Sequence, residues 1–193
     1  MKRRGHGRVR RGLLLAALVS PPLLGCNQRA IESWLSQSSE AEPSLYSQGG
    51  FDRSLAELRK RVPTPIEALS LLVYSDRLVL QARDPAARNN VVQYVIRGGR
   101  ATDPIPVKLI GTGKLDDNLF PLDAAKVEAI PRLVHEAQSK ANIPEGSVAR
   151  VLLKRNLPES MDIQFRVFVT SQRRDAYMDA DQQGNLIESL TPP

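Results

Sequence analysis

Apolar and polar residues alternate with a period of two along several segments of this chain. The clearest is segment 162–170, in which every second residue is apolar: Ile163, Phe165, Val167 and Val169. A two-residue period turns one set of side chains toward a core and the other toward solvent. We therefore expect an α+β fold in which helices cover one face of an antiparallel sheet.

Helical spacing of apolar residues occurs twice, and each helix precedes four strand-like segments. The first helix has Asp52 as its candidate N-cap and ends before Pro63, and the second covers 131–141 with Pro131 in its first turn. Residues 123–130 form either a separate turn or the start of a longer helix that Pro131 kinks. The predicted strands are 68–74, 78–83, 91–97, 105–110, 148–154, 162–170, 174–180 and 186–190.

This pattern predicts four parts of the chain. Residues 1–25 form an N-terminal signal, and residues 26–50, rich in Ser, Gln, Glu and Gly, form a flexible tether. Residues 51–113 and 114–193 form two tandem modules, each a helix on an antiparallel sheet. Trp34 in the tether would lie either at a lipid interface or against the folded part.

The N-terminal segment has the order of features found in bacterial export signals. Six cations precede a short apolar run at 13–19, and Leu23-Leu24-Gly25-Cys26 follows. This resembles the lipobox of bacterial lipoprotein signal peptides, which implies cleavage before Cys26 and attachment of a diacylglycerol and a further acyl chain such as palmitate. The other interpretations are a membrane helix, for which the run is too short, and a disordered basic tail.

Removal of the signal changes the charge and the thiol chemistry of the chain. The signal holds six of the 27 Lys and Arg residues and none of the 21 Asp and Glu residues, so the remainder is neutral. A neutral remainder does not predict a nucleic-acid partner. Cys26 is the one cysteine, so lipidation would leave no thiol for a disulfide, a nucleophile or a metal.

The signal also predicts the location of the protein. Lipidation at Cys26 would anchor the chain to a cell membrane, and Asn27 in place of Asp favours the periplasmic face of the outer membrane in a Gram-negative cell. Arg10-Arg11 leaves twin-arginine export open beside the general secretory route.

The last 60 residues resemble a second family. The stretch 175–187, with Tyr177-x-Asp179, a polar turn at Gly184 and a final apolar strand, is similar to the end of a PepSY repeat. The turn is one residue longer than usual, and the first module matches only in layout. The resemblance implies tandem envelope modules with roles in protease inhibition, peptide binding or envelope assembly.

Candidate catalytic and metal-ligating groups are few. Asp179-x-Asp181-x-Gln183-Gly184 matches the first half of a calcium loop, but Leu190 stands at its twelfth position, so a β-hairpin turn is the expected structure. His135 is the one histidine after the signal, and we expect it on a polar helix surface. The sequence therefore predicts no metal site and no cofactor.

An alternative function would depend on paired carboxylates, which occur at Asp116-Asp117 and at Asp179 and Asp181. An envelope hydrolase, or an accessory to one, would need two carboxylates held at a defined separation in a cleft. We expect both pairs in exposed loops.

Cations recur at the polar positions of the predicted strands. Together with Phe168, the residues Arg150, Lys154 and Arg166 form a candidate partner-binding surface, to which Arg83, Arg97 and the hairpin pair Arg173-Arg174 add charge. The other interpretation is a solvated face with long basic side chains. We expect a non-catalytic, membrane-anchored module that binds an envelope protein or peptide on this face.

Overall fold

The computed structural model of the protein describes residues 43–190 except Thr112 and Asn142, all within one compact unit. The predicted signal, Cys26 and the tether up to residue 42 lie outside the described residues. Among those described, ten strands form a single sheet.

The described elements follow the predicted order closely. The helices are α1 (Gln48–Arg61), α2 (Leu115–Asn118) and α3 (Ile130–Lys140), and two 3₁₀ turns, Leu122–Ala124 and Val127–Ala129, precede α3. The strands are β1 (Glu67–Val73), β2 (Arg77–Asp84), β3 (Ala87–Arg97), β4 (Arg100–Ala101), β5 (Ile105–Val107), β6 (Phe120–Pro121), β7 (Ser147–Arg155), β8 (Ile163–Thr170), β9 (Asp175–Asp181) and β10 (Leu186–Leu190).

Strands from both halves of the chain belong to one continuous sheet. Its order is β10-β9-β8-β7-β1-β2-β3-β4, with β5 on β3 and β6 on β1, and each pairing is antiparallel. The α+β prediction with a mostly antiparallel sheet is confirmed. The predicted module boundary at 113/114 falls in a loop, but β1 and β7 join the two halves through Leu71–Leu153 and Val73–Val151.

The two long helices pack on the same face of the sheet and complete one core. Phe51 and Leu58 from α1, Ile130 and Leu133 from α3, and Phe165 from β8 are fully buried. Burial of each such side chain stabilises the fold by about 1.5–3 kcal/mol. The helices leave the opposite face of the sheet uncovered, and this face carries the candidate site.

Helix α1 begins earlier than predicted, and this corrects the boundary of the tether. The hydroxyl of Ser47 accepts a hydrogen bond from the backbone N–H of Gly50 at 3.3 Å, so Ser47 and not Asp52 is the N-cap. A Cβ atom at Gly50 would lie 2.3 Å from the carbonyl oxygen of Ser44, so the glycine permits a tight approach. Leu45 is buried, and residues 43–50 belong to the folded unit.

The start of α3 decides between the two interpretations of residues 123–130. Two separate 3₁₀ turns precede the helix, and Pro131 occupies its first turn, where no backbone N–H is needed.

Among the described residues, no helix is both long enough and apolar enough to cross a bilayer.

Candidate partner-binding face

The uncovered face of the sheet, which we call the open face, has an ordered row of side chains across its middle. Each residue of the row pairs directly with the next across six strands, β9, β8, β7, β1, β2 and β3. One end of the row is an ion pair, and the other four residues of the row are aliphatic. The row is Asp179, Arg166, Leu152, Leu72, Val79 and Val95.

The structure brings the four predicted binding residues to this face. Arg150 pairs with Phe168, and Lys154 pairs with Gln164 four positions along the same strands. The guanidinium carbon of Arg150 lies 4.1 Å from the centroid of the Phe168 ring, which is a cation–π contact. Arg166 lies between these two pairs and faces the same side.

Arg166 is held in place by the buried carboxylate of Asp179, a residue that we expected from the sequence in an exposed loop. Its Nε and Nη2 atoms donate to the two carboxylate oxygens of Asp179 at 2.7 and 2.8 Å, and its guanidinium carbon lies 4.3 Å from the Tyr177 ring centroid. The side chain of Asp179 is 13% exposed and that of Arg166 is 38% exposed. The hydrogen bond to Asp179 raises the pKa of Arg166 and outweighs the opposing effect of burial.

These side chains line a concave region of about 610 Å³ on the open face. Lys154, Arg166 and Phe168 contribute to its wall, together with Tyr177 and the aliphatic side chain of Ile187, which is 53% exposed. Its lining includes three cationic and two anionic side chains. Arg150 stacks on Phe168, which is part of the lining, and so places a further positive charge beside the concavity. The concavity therefore combines aromatic and aliphatic surface with a moderate positive charge.

One rim of the concavity is the loop between β7 and β8, which Arg155 holds by a hydrogen bond. Arg155 donates through Nε to the backbone carbonyl of Leu119 at 2.9 Å and through Nη1 to that of Met161. Asn156 donates its backbone N–H to Asp162 at 2.9 Å and closes the loop, which carries Glu159 at the rim. This rim is therefore held by the sheet and by the segment before β6.

The remaining predicted cations do not extend the positive surface. Arg83 forms ion pairs with Glu67 and Asp116, and Arg97 forms an ion pair with Asp76. Arg173 and Arg174 lie in the β8–β9 hairpin and line a different concavity, of about 500 Å³. Among the described residues, Arg150 and Lys154 form no ion pair, so β7 carries unpaired positive charge on the open face.

The candidate carboxylates have partners within the fold. Asp116 lies in the short helix α2, where it pairs with Arg83, and its pKa is lowered by that hydrogen bond. Asp179 was expected in an exposed loop, and this was wrong, because it lies within β9 and binds Arg166. Among the described residues, no group of three or more His, Cys, Asp or Glu side chains could hold a metal ion.

Asp181 organises the β9–β10 turn that matched half of a calcium loop. Its carboxylate accepts from the backbone N–H groups of Gln183 and Asn185 at 2.9 and 2.8 Å, and from the Asn185 amide at 3.1 Å. Burial alone would raise the pKa of Asp181, but these bonds outweigh burial and lower it. The loop is a β-hairpin turn with Gly184 at φ 80°, and His135 is exposed on α3.

Sequence reasoning missed Tyr177, Leu152 and the pairing of Arg166 with Asp179. The signal was available, because a hairpin that closes with Thr170 opposite Asp175 also sets Arg166 opposite Asp179. Leu72 could not be found in this way, since the β1–β7 pairing joins strands about 80 residues apart.

No family model and no curated protein matches the chain. A crystal structure of a candidate lipoprotein from Clostridium difficile 630 superposes with a TM-score of 0.46 at 13% sequence identity. The match covers 78% of this chain and 99% of the other. At this level of similarity, nothing about the role of that protein transfers to this chain.

Proposed function

We propose that the protein is a membrane-anchored envelope lipoprotein whose open face binds a protein or peptide without catalysing a reaction. The observation that carries the proposal is the concavity in which Lys154, Arg166, Phe168 and Tyr177 lie together. The solvated face of an antiparallel sheet is usually polar, whereas this face also holds aromatic rings stacked with guanidinium groups. Tyr and Arg are enriched where partners bind most strongly.

The composition of the concavity favours one class of ligand. Aliphatic and aromatic side chains would contact an apolar anchor, and Arg150 and Lys154 would attract carboxylates beside that anchor. A segment with a Leu or aromatic residue flanked by Asp or Glu has this chemistry. Neither a cofactor nor nucleic acid is needed to account for these residues.

Anchoring through Cys26 is the second part of the proposal. It is supported by the order of charge, apolar run and Leu23-Leu24-Gly25-Cys26 in the sequence. Acylation would hold the open face near a membrane, and Asn27 after the cysteine favours the periplasmic face of an outer membrane. An anchored module meets partners on that membrane at high effective concentration.

The likeness of the second half to a PepSY repeat agrees with a binding role and remains part of the proposal. The hydrolase alternative depends on carboxylates that the fold already uses: Asp179 binds Arg166, Asp116 binds Arg83, and Asp181 accepts hydrogen bonds from its own turn. These engagements favour a structural role for the three carboxylates.

Reversal of Arg150 and Lys154, two open-face cations that form no ion pair among the described residues, tests the binding face. In the double variant Arg150→Glu/Lys154→Glu, we expect capture of envelope proteins or peptides from crosslinked native membranes to fall about tenfold, since two attractive charges become repulsive. Quantitative mass spectrometry of the captured material measures this. The melting temperature should change little, because Lys154 is exposed and Arg150, which is half-buried, makes a cation–π contact but no ion pair among the described residues.

Arg173→Glu/Arg174→Glu is the matched control, with the same change of charge at a different hairpin. It should capture as the unmodified protein does. Equal capture by all three proteins would show that the open face is not the binding surface, and equal loss in both variants would show that only net charge matters.

A further inference from the structure

Exposed apolar side chains concentrate at one short segment away from the concavity. Among the described residues, five large hydrophobic side chains are exposed, and three lie within six positions. Ile105 is 53% exposed, Leu109 is 44% exposed and Ile110 is 91% exposed. Isolated exposed apolar residues are ordinary, but a cluster of this kind marks an interaction site.

These residues lie at the edge of the fold. Ile105 begins β5, which pairs with residues 91–93 in the middle of β3, and Leu109 and Ile110 follow on the loop that leads to α2. None of the three belongs to the hydrophobic core. Leu109 and Ile110 border Leu69 of β1 and Leu115 of α2, and Ile110 is almost fully exposed.

Two lysines lie within this apolar tip, and its acidic neighbours flank it. Residues 104–114 include Lys108, directly between Val107 and Leu109, and Lys114, and no acidic residue. Of the flanking acidic residues, Asp103 pairs with Arg61 and Asp116 with Arg83, whereas Asp117 is exposed. Apolar side chains flanked by lysines are the composition that enters the interfacial region of a bilayer with anionic headgroups.

We propose that Ile105, Leu109 and Ile110 insert into the interface of an anionic membrane, with Lys108 and Lys114 at the headgroups. Three side chains are too few for a stable protein interface, which buries roughly 800 Å² on each partner. A membrane accepts a small apolar tip, because lipid adapts to its shape. The insertion would orient the folded unit on the surface to which the tether holds it.

This inference rests on the proposed anchoring, since the anchor supplies the membrane. The 16 residues between Cys26 and Pro43 could span at most roughly 55 Å, so covalent geometry permits contact between the loop and the same bilayer.

The test uses the acylated full-length protein reconstituted into vesicles of phosphatidylcholine and phosphatidylglycerol. An Ile110→Cys variant carries a free thiol at the loop, because Cys26 is acylated, and is labelled with the fluorophore NBD. We expect a several-fold rise in NBD emission on reconstitution and strong quenching by doxyl-labelled lipids. The control, Ser139→Cys on the exposed surface of α3, should give water-like, unquenched emission.

The experiment tests the insertion of the loop and the attachment of the anchor by separate measurements. Flotation of both labelled proteins with the vesicles reports the anchor, whereas emission at position 110 reports the loop. Unquenched, water-like emission at position 110 in floating vesicles would overturn the insertion and leave the anchor standing. Raised emission that doxyl lipids do not quench would also overturn it, in favour of contact with a second copy. Without flotation the anchoring fails, and emission with excess vesicles still tests the loop.

Discussion

The variant Arg166→Glu is expected to lose about 2–3 kcal/mol of the free energy of unfolding. The change removes two hydrogen bonds from a mostly buried carboxylate and places a second carboxylate beside it. Loss of one partner from a buried ion pair costs about 3–5 kcal/mol, and the partial exposure of Arg166 reduces this. For a unit of this size the melting temperature should fall by roughly 5–10 °C.

Circular dichroism during thermal unfolding measures this difference. Arg150→Glu is the matched control, because Arg150 stacks on Phe168 without an ion pair among the described residues and should change the melting temperature only slightly. The charge-swapped pair Arg166→Glu/Asp179→Arg should recover part of the loss, as coupled residues do. A melting temperature of Arg166→Glu equal to that of the unmodified protein would show that the pair does not hold the open face.

The variant Cys26→Ala is expected to lose lipid attachment completely. The thioether cannot form without the sulfur, and the signal sequence would stay attached to the chain. Each buried methylene contributes about 0.8 kcal/mol to membrane binding, so two or more acyl chains make the anchor effectively permanent. Metabolic labelling with an alkyne fatty acid, followed by coupling to a fluorophore, measures attachment on a gel.

Asn27→Ala is the neighbouring control and should be labelled as strongly as the unmodified protein. Absence of label from the unmodified protein would refute lipidation at Cys26. Equal label on the Cys26→Ala variant would place the lipid on another residue.

Local patterns in the sequence predicted most of the secondary structure. The period of two placed β8 within a residue of its observed ends, the segment predicted after the Gly184 turn coincides with β10, and Pro131 marked the first turn of α3. These elements are decided by neighbouring residues, which is why the pattern alone finds them. The start of α1 was missed because Gly49-Gly50 has linker composition, whereas Gly50 serves a close approach to Ser44.

Pairing between distant strands could not be predicted. The β1–β7 contact joins the two halves of the chain into one sheet, and no local signal distinguishes this from two separate modules. Part of the open face also depends on pairing between distant strands and could not be predicted. Arg150, Lys154, Arg166 and Phe168 were predicted together because they lie on one hairpin, but the aliphatic row that reaches Leu72 and Val95 depends on long-range register.

Arg150 and Arg166 look equivalent in the sequence but have different roles in the structure. Arg166 is tied to Asp179, so its replacement tests stability, whereas Arg150 and Lys154 are available to a partner. The distinction depends on one buried carboxylate, which sequence reasoning had assigned to a turn.

Photocrosslinking from the open face tests directly whether this face binds a partner. We would place p-benzoylphenylalanine at position 168, in the wall of the concavity, and at position 138, an exposed site on α3, and irradiate cells that express each protein. We expect a discrete crosslinked partner from position 168 that is absent from position 138 and is lost in the Arg150→Glu/Lys154→Glu background. Adducts of equal yield from both positions, or from position 138 alone, would contradict it.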